Sequence, residues 1–452
     1  MRHAVPVVDN KFDFSCSACL DYCSAVTNDG LGAEVPAGAS LPDKVALGVL
    51  TRLVTRELVE DVLAETGRKE QRKRLLPARA VVYFVLALAL FSGDSYEEVM
   101  RKLVQGLSWL AIWKRDWEVP TASALAQARK RLGAEPARQL YRRVAVPCAM
   151  RSTAGAWIAG RRLMAIDGVE LDAADTPANA EFFGYSSGKG GSTGPFPKVL
   201  VVALAECGTH AITAVETGGG DDSESPLARR LAAAPGNLEP GMLVTADRGL
   251  YSYELCSAVT AARADFCLRA PAQLQLPVLA WLPDGSYRSY IASPRGKGTP
   301  SNRAKLAAGV IAVTDLPGIP VRVADYTVPG RGQKNEIFTV ITSVLDHQDL
   351  AAADLAAACH QRWEIELAFN EIETRQRGPA VILRSRSPDL VLQELYGLLI
   401  THYAIRRLMT EAADQAELDP DQLSFTRTLR IVRRQVTAQA AFSPLPPDPR
   451  HG

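Results

Sequence analysis

The sequence lacks what a membrane span, a secretory leader or a nucleotide-driven machine would require. Its longest apolar stretch, Ala80 to Phe91, runs for twelve residues. A bilayer span needs about 20, so this stretch predicts a buried helix. The start shows no basic segment followed by an apolar one, so a cytoplasmic location is expected and the eight cysteines are read mainly as reduced thiols. The net charge is only +1 over 452 residues. Without a global basic surplus, any contact with nucleic acid must come from local patches. No His-Glu-x-x-His occurs, and Gly188-Lys-Gly-Gly-Ser-Thr-Gly194 lacks the terminal Gly-Lys-Ser/Thr order of a phosphate-binding loop. No internal repeat is present. Cys16, Cys19 and Cys23 lie close enough to reach one zinc, but a fourth ligand is missing and the segment reads as a loop.

Three carboxylates stand out against these absences. Asp167 ends the run Arg162-Leu-Met-Ala-Ile166, and Asp247 ends Met242-Leu-Val-Thr-Ala246. An apolar run that stops at an aspartate reads as a buried strand delivering one charge at its C-terminal end. Glu366 lies in His360-Gln-Arg-Trp-Glu-Ile-Glu366, where the pattern predicts a helix. At about 100° per residue, Cys359, Arg362, Glu366, Phe369 and Glu373 share one narrow face, with Ile365, Ala368 and Ile372 on the adjoining arc. Two strand-end aspartates and a helical glutamate suit a pair of hard divalent cations, two Mg²⁺ with Mn²⁺ as a substitute, about 4 Å apart. The chemistry implied is phosphoryl transfer on nucleic acid. Read alone, Asp167 is also what a strand-to-turn junction prefers, and Arg362 with Glu366 is also an i, i+4 ion pair. The three together carry the argument.

Length predicts two or three domains. Residues 1–40 read as a flexible leader, and 41–150 as an all-helical domain with turns at Thr66-Gly67, Ser92-Gly-Asp94 and Gly133. After Trp157 the pattern becomes short apolar runs. Leu163 to Ile166, Lys198 to Ala205, His210 to Glu216 and Leu243 to Ala246 predict strands, with helices over Pro226 to Ala234 and Tyr253 to Ala264. This order predicts an α/β fold with a ribonuclease-H-like mixed sheet, its first part at 155–265 and its second at 351–412. A β-rich insertion is expected at 266–350, including Val321 to Val328 and Ile337 to Val344. A C-terminal helix and disordered tail are expected at 413–452, and Trp281 reads as a partly buried aromatic before a Pro-Asp-Gly turn.

The blocks Ala165-Ile-Asp-Gly168, Thr245-Ala-Asp-Arg-Gly249 and Arg362-Trp-Glu-Ile-Glu366, followed by Leu383-Arg-Ser-Arg-Ser-Pro388, resemble the signature of the DDE transposases of bacterial insertion sequences, in particular the insertion sequence 4 family. The resemblance runs from about Leu41 to Arg434. It implies that Asp167, Asp247 and Glu366 are catalytic metal ligands, that the helical region recognises terminal inverted repeats of double-stranded DNA, and that the enzyme acts as a homodimer near the nucleoid. The family's Tyr, Arg, Glu, Lys motif is only partly kept: Arg362 matches, Cys359 stands at the Tyr position and Glu373 at the Lys position. Arg375 is a nearby substitute for the lost lysine. Basic candidates for DNA contact are Arg362, Arg375 and Arg248 beside the acids, Arg72, Lys73 and Arg74 in Arg68-Lys-Glu-Gln-Arg-Lys-Arg74, and Arg129, Lys130 and Arg131 at a helix end. Arg427, Arg430 and Arg434 repeat at helical spacing. Two other readings stay open: a DNA-binding remnant that no longer turns over, and a nuclease that hydrolyses without joining.

Overall fold

Strand β2 (Arg161–Ala173) organises the molecule, because its side chains alternate between two separate cores. Leu163, Ala165, Leu171 and Ala173 point to one, while Met164 and Ile166 point to the other. The structure is a computed structural model that describes residues 49–70, 72, 76–105, 119–187, 193–328, 336–378 and 382–438. The leader with Cys16, Cys19 and Cys23, the basic residues Lys73 and Arg74, most of the glycine-rich loop and the Pro-rich end lie outside the described residues.

Among the described residues six helices precede the sheet: α1 (Val49–Leu53), α2 (Arg56–Glu65), α3 (Ala78–Leu90), α4 (Tyr96–Gln105), α5 (Ala122–Leu132) and α6 (Glu135–Val144). Thr55 and Thr121 cap α2 and α5 by accepting from Leu58 N and Ala124 N. The apolar run expected as a buried helix is α3, whose residues from Arg79 to Leu90 are all buried.

The strands that follow are β1 (Trp157–Ile158), β2, β3 (Tyr185–Ser187), β4 (Thr193–Glu206), β5 (Ala211–Gly218), β6 (Met242–Ala246) and β7 (Asp265–Arg269). Beyond them lie β8 (Ala280–Trp281), β9 (Tyr287–Ala292), β10 (Gly318–Val328), β11 (Glu336–Thr342) and β12 (Ile382–Leu383). Between them run α7 (Pro177–Phe183), α8 (Glu224–Ala233), α9 (Tyr253–Ala261), α10 (Pro294–Gly298), α11 (Pro300–Ala307), α12 (Ala352–Gln361) and α13 (Trp363–Asn370). Two helices close the described chain: α14 (Pro388–Gln415) and α15 (Phe425–Ala438).

One twelve-stranded mixed sheet results, in the order β3-β4-β2-β6-β7-β11-β10-β9-β8, with β5 on β4 and both β1 and β12 on β2. Within it, β5-β4-β2-β6-β7 has antiparallel β5, β4 and β2 followed by β6 and β7 parallel to β2, the arrangement of a ribonuclease-H-like core. The β-rich run after β7 continues the same sheet, since β11 pairs with β7. One face is covered by α8 and α9 through Leu227, Leu231, Leu255 and Val259. The other is covered by α12, α13 and α14 through Leu355, Ile365, Ala368 and Leu395, and the N-terminal helices join that second core.

Candidate active site

The two aspartates meet because of register. Strands β2 and β6 run parallel with Ile166 paired to Ala246, so Asp167 and Asp247 are the next residues of neighbouring strands. Asp247 ends β6 as expected. Asp167 does not end its strand: β2 continues to Ala173, outrunning β6. The longer strand has a partner on its other side, since Asp167 to Asp172 keep pairing with β4. Asp247 has extended backbone and begins the single turn Arg248–Leu250, which leaves it and Arg248 exposed. Gly168 N–H donates to Asp167 Oδ1 at 2.9 Å.

The helix expected through Glu366 is present but irregular, its backbone staying helical through Arg362 and Asn370. α12 stops at Gln361, Arg362 is a turn residue, α13 begins at Trp363, and Glu371–Gln376 winds as a π-helix. A single straight helical face therefore does not carry Cys359 through Glu373. The π turn changes the angular step after Asn370. Within α13 the expected polarity holds, with Ile365, Ala368 and Phe369 buried and Glu366 at the border. Arg362 joins the acids: its Nη1 donates to Asp167 Oδ2 at 2.8 Å and its Nη2 lies 2.9 Å from Glu366 Oε1.

Two of the three carboxylates, Asp167 and Glu366, thus share one guanidinium. Burial pushes the Asp167 carboxyl up, opposed by the Gly168 amide and Arg362 and reinforced by Glu366 and Asp247. The donors are all hard oxygens, the set that divalent Mg²⁺ or Mn²⁺ takes, so the residues fit such ions. Beside them opens a cleft of about 370 Å³ lined by Asp247, Arg269, Tyr326, Phe338, Cys359 and Trp363. Tyr326 stacks on Phe338, Arg269 lies over Phe338, and Trp363 is exposed. Cys359 Sγ is 3.6 Å from Cys267 Sγ, so the residue at the family's Tyr position is spent on the sheet. Trp281 is 69% exposed and meets the Tyr287 ring in an edge-type contact, so the expectation of partial burial is corrected.

Among the described residues the tightest grouping of metal-type side chains is elsewhere: His210, Glu364 and Asp421 offer atoms within 4.8 Å of one another. The His210 ring there is already engaged on its Nδ1 side by Arg406 Nη2 and Glu371 Oε1, and its Nε2 lies 3.2 Å from Asp421 Oδ1. The catalytic candidates stand wider apart because Arg362 lies between two of them.

The basic candidates separate. Arg72, Lys130 and Arg131 are exposed, and Arg72 and Arg131 line one groove with Arg68 and Lys69. Arg375 is exposed on the π-helix. Arg129 is 1% exposed, and it donates to Gln393 Oε1, Ser385 Oγ, the Leu390 carbonyl and the Tyr96 hydroxyl. A buried guanidinium with four of its five N–H groups so committed cannot reach DNA, which corrects its expected role: it ties α5 to α14. Lys73 and Arg74 lie outside the described residues. Glu224, the first residue of α8, which no sequence pattern singles out, has its carboxylate against Gly168.

A twisted sheet with acids on adjacent parallel strands and a third on a covering helix defines a nucleic-acid-processing phosphoryl transferase of the ribonuclease-H-like kind. Residues 158–403, more than half of the chain, match the family described as Transposase DDE domain, and residues 44–142 match Insertion element 4 transposase N-terminal. The chain belongs to the DDE transposases of the insertion sequence 4 family, metal-dependent enzymes that cleave DNA and transfer its strands. It is 29% identical over 400 residues to Transposase InsG for insertion sequence element IS4 of Escherichia coli K12, covering 86% of this chain and 82% of that one. It is 28% identical over 201 residues to the Putative transposase InsZ of the same organism, covering 44% of this chain and 62% of that one. Among solved structures it is similar to piggyBac transposase in a synaptic complex with hairpin DNA, at 12% identity and a TM-score of 0.43, covering 89% of this chain and 81% of that one. Neither the remnant nor the hydrolytic nuclease is favoured by these relatives. Among the described residues no helix is long and apolar enough to cross a membrane.

Proposed function

We propose that this transposase works through Asp167, Asp247 and Glu366 as ligands of two Mg²⁺ ions, with Mn²⁺ as a substitute, on the terminal inverted repeats of its own element. The observation that supports this most is the parallel register of Ile166 with Ala246, which sets Asp167 beside Asp247 while Arg362 draws Glu366 to the same edge. Bound divalent cations supply activation of the attacking oxygen and charge relief for the leaving oxygen of a phosphodiester. The chain's own part is placement. Strand backbone fixes the two aspartates, and α13, buried through Ile365 and Ala368, fixes Glu366. Arg362 balances Asp167 and Glu366 in the free protein, and near DNA its donors turn to a phosphate beside the scissile bond. Arg248, the residue after Asp247, and Arg375 on the π-helix are both exposed and are further candidates for phosphate contact.

End recognition falls to the helices at 49–144, an all-helical N-terminal unit. Its groove of Arg68, Lys69, Arg72 and Arg131 supplies the phosphate contacts, and the exposed Lys130 is a further candidate, as are Lys73 and Arg74 from the sequence. A homodimer in the cytoplasm, on nucleoid DNA, pairs the two ends of one element. The test incubates purified protein with Mg²⁺ and a labelled duplex carrying the element's terminal repeats. Joined products are expected; nicks without joining, or a shifted but intact duplex, overturn the proposal.

A further inference from the structure

Asp167 and Gly168 point to opposite faces of the sheet, because successive strand residues alternate. Asp167 faces Arg362 and α13, whereas the side-chain position of Gly168 faces α8. A Cβ at Gly168 would lie 2.4 Å from Glu224 Oε1, 2.5 Å from its Cδ and 2.8 Å from its Cγ. The Glu224 side chain therefore occupies the volume that any other residue at 168 would fill, and the missing side chain is a window in the strand. α8 packs on β2 and also on the turn Arg248–Leu250 that follows Asp247, so its first residue overlooks both aspartates. Every charged group acting on Glu224 is another acid: Asp167, Glu170 and Asp247. An acid in the first turn of a helix is ordinary; what the helix end does not account for is the seating of this carboxylate in the space left by Gly168.

Like charges gathered at a half-buried edge are unfavourable in the free protein unless they serve a positive partner. We propose that Glu224 is a fourth carboxylate of the divalent-cation centre, reaching it through the gap at Gly168 from the face opposite Arg362 and Glu366. The inference rests on the proposed reading that Asp167 and Asp247 bind the cations. It assigns Gly168 a reason: a side chain there would push the fourth acid away. Glu224 then neutralises cation charge on the side of the sheet that Glu366 cannot reach.

The test is Mn²⁺ binding to the full DNA-free chain, followed by calorimetry or by the Mn²⁺ resonance signal, alongside the thermal midpoint without metal. Glu224→Gln is expected to weaken Mn²⁺ binding by about tenfold or more, the loss typical of removing a supporting carboxylate, and to leave the metal-free midpoint unchanged or raised, since repulsion is relieved. Binding weakened less than about fivefold overturns the inference, and a lowered midpoint with unchanged binding identifies a packing role instead. Gly168→Ala should copy the binding defect of E224Q; should it not fold, E224Q alone decides. Asp247→Asn separates the two levels: if it keeps Mn²⁺ binding, the underlying reading fails, and if it loses binding while E224Q does not, only the role of Glu224 fails.

Discussion

Glu366 and Glu371 stand five residues apart in one helical stretch and in opposite circumstances. The Glu366 side chain is 35% exposed and touches a single cation, Arg362, which it shares with Asp167. The Glu371 side chain is only 12% exposed: Arg406 Nε donates to it at 2.8 Å, Arg406 Nη2 also contacts it, and His402 Nε2 is 3.0 Å away. Despite burial, those partners hold the Glu371 carboxyl well below the usual carboxylate range. Its neighbour Glu364 shows the reverse, pushed up to about 8 by burial with Gly208 N–H as its one backbone donor. The π turn, which begins at Glu371, turns that acid inward to α14 while α13 keeps Glu366 at the sheet edge. One stretch of chain is thus anchored by charges already satisfied and armed with charges that are not.

Four experiments would break or sharpen this contrast. At the armed end, Asp167→Asn or Asp247→Asn should reduce strand cleavage about a thousandfold, several kcal/mol of lost transition-state stabilisation, while urea midpoints stay close to wild type. Residual cleavage within tenfold would remove these residues from the chemistry. At the anchored end, Glu371→Gln leaves the Arg406 charge buried without a carboxylate, and the expected loss is about 3–5 kcal/mol in urea unfolding. A loss below about 1 kcal/mol would show that the network is not an anchor.

Glu364 gives the pH test. A carboxyl at 4.5 unfolded and about 8 folded holds a proton in the folded state that the unfolded chain has already lost. Its contribution is complete below 4.5 and is lost progressively until pH passes about 8, so stability should fall with rising pH across that window. Glu364→Gln should flatten the fall; an unchanged slope between pH 5 and 8 assigns it to other groups. The smallest effects belong to the basic groove. Arg72→Ala and Arg131→Ala should each lower the dependence of DNA affinity on log salt by about one unit. Arg129→Ala should leave that slope alone and lower stability, and the opposite result would return Arg129 to the DNA surface.

Much of this was legible because burial writes itself in simple patterns. Met242 to Ala246 is apolar until the chain must leave the sheet, so Asp247 announces itself. Asp167 was found by the same rule although the strand continues, because the flanking residues are apolar on both faces only up to Ile166. What no single segment encodes is pairing: the match of Ile166 to Ala246 depends on contacts between strands distant in sequence. The irregularity at Arg362 and the π turn stayed hidden since their residues are ordinary helix formers. Arg129 misled because it lies in a charge run, yet the helix period turns it inward between the exposed Lys130 and Arg131 and the buried Ala128. Glu224 had no pattern at all, for an acid at a helix start is common chemistry whatever lies opposite it.

Gly397 lies in the middle of α14 where α3 crosses it, and a Cβ there would come within 3.0 Å of Val85 Cγ1 and 3.2 Å of the Val85 carbonyl oxygen. The two helices can touch at this spot because one of them has no side chain, and α14 also lies along the sheet. The front of the protein is keyed into its cutting machinery like a tenon in a mortise. The outward surfaces of the early helices are free to vary, while the inward ones must evolve in step with the sheet and α14.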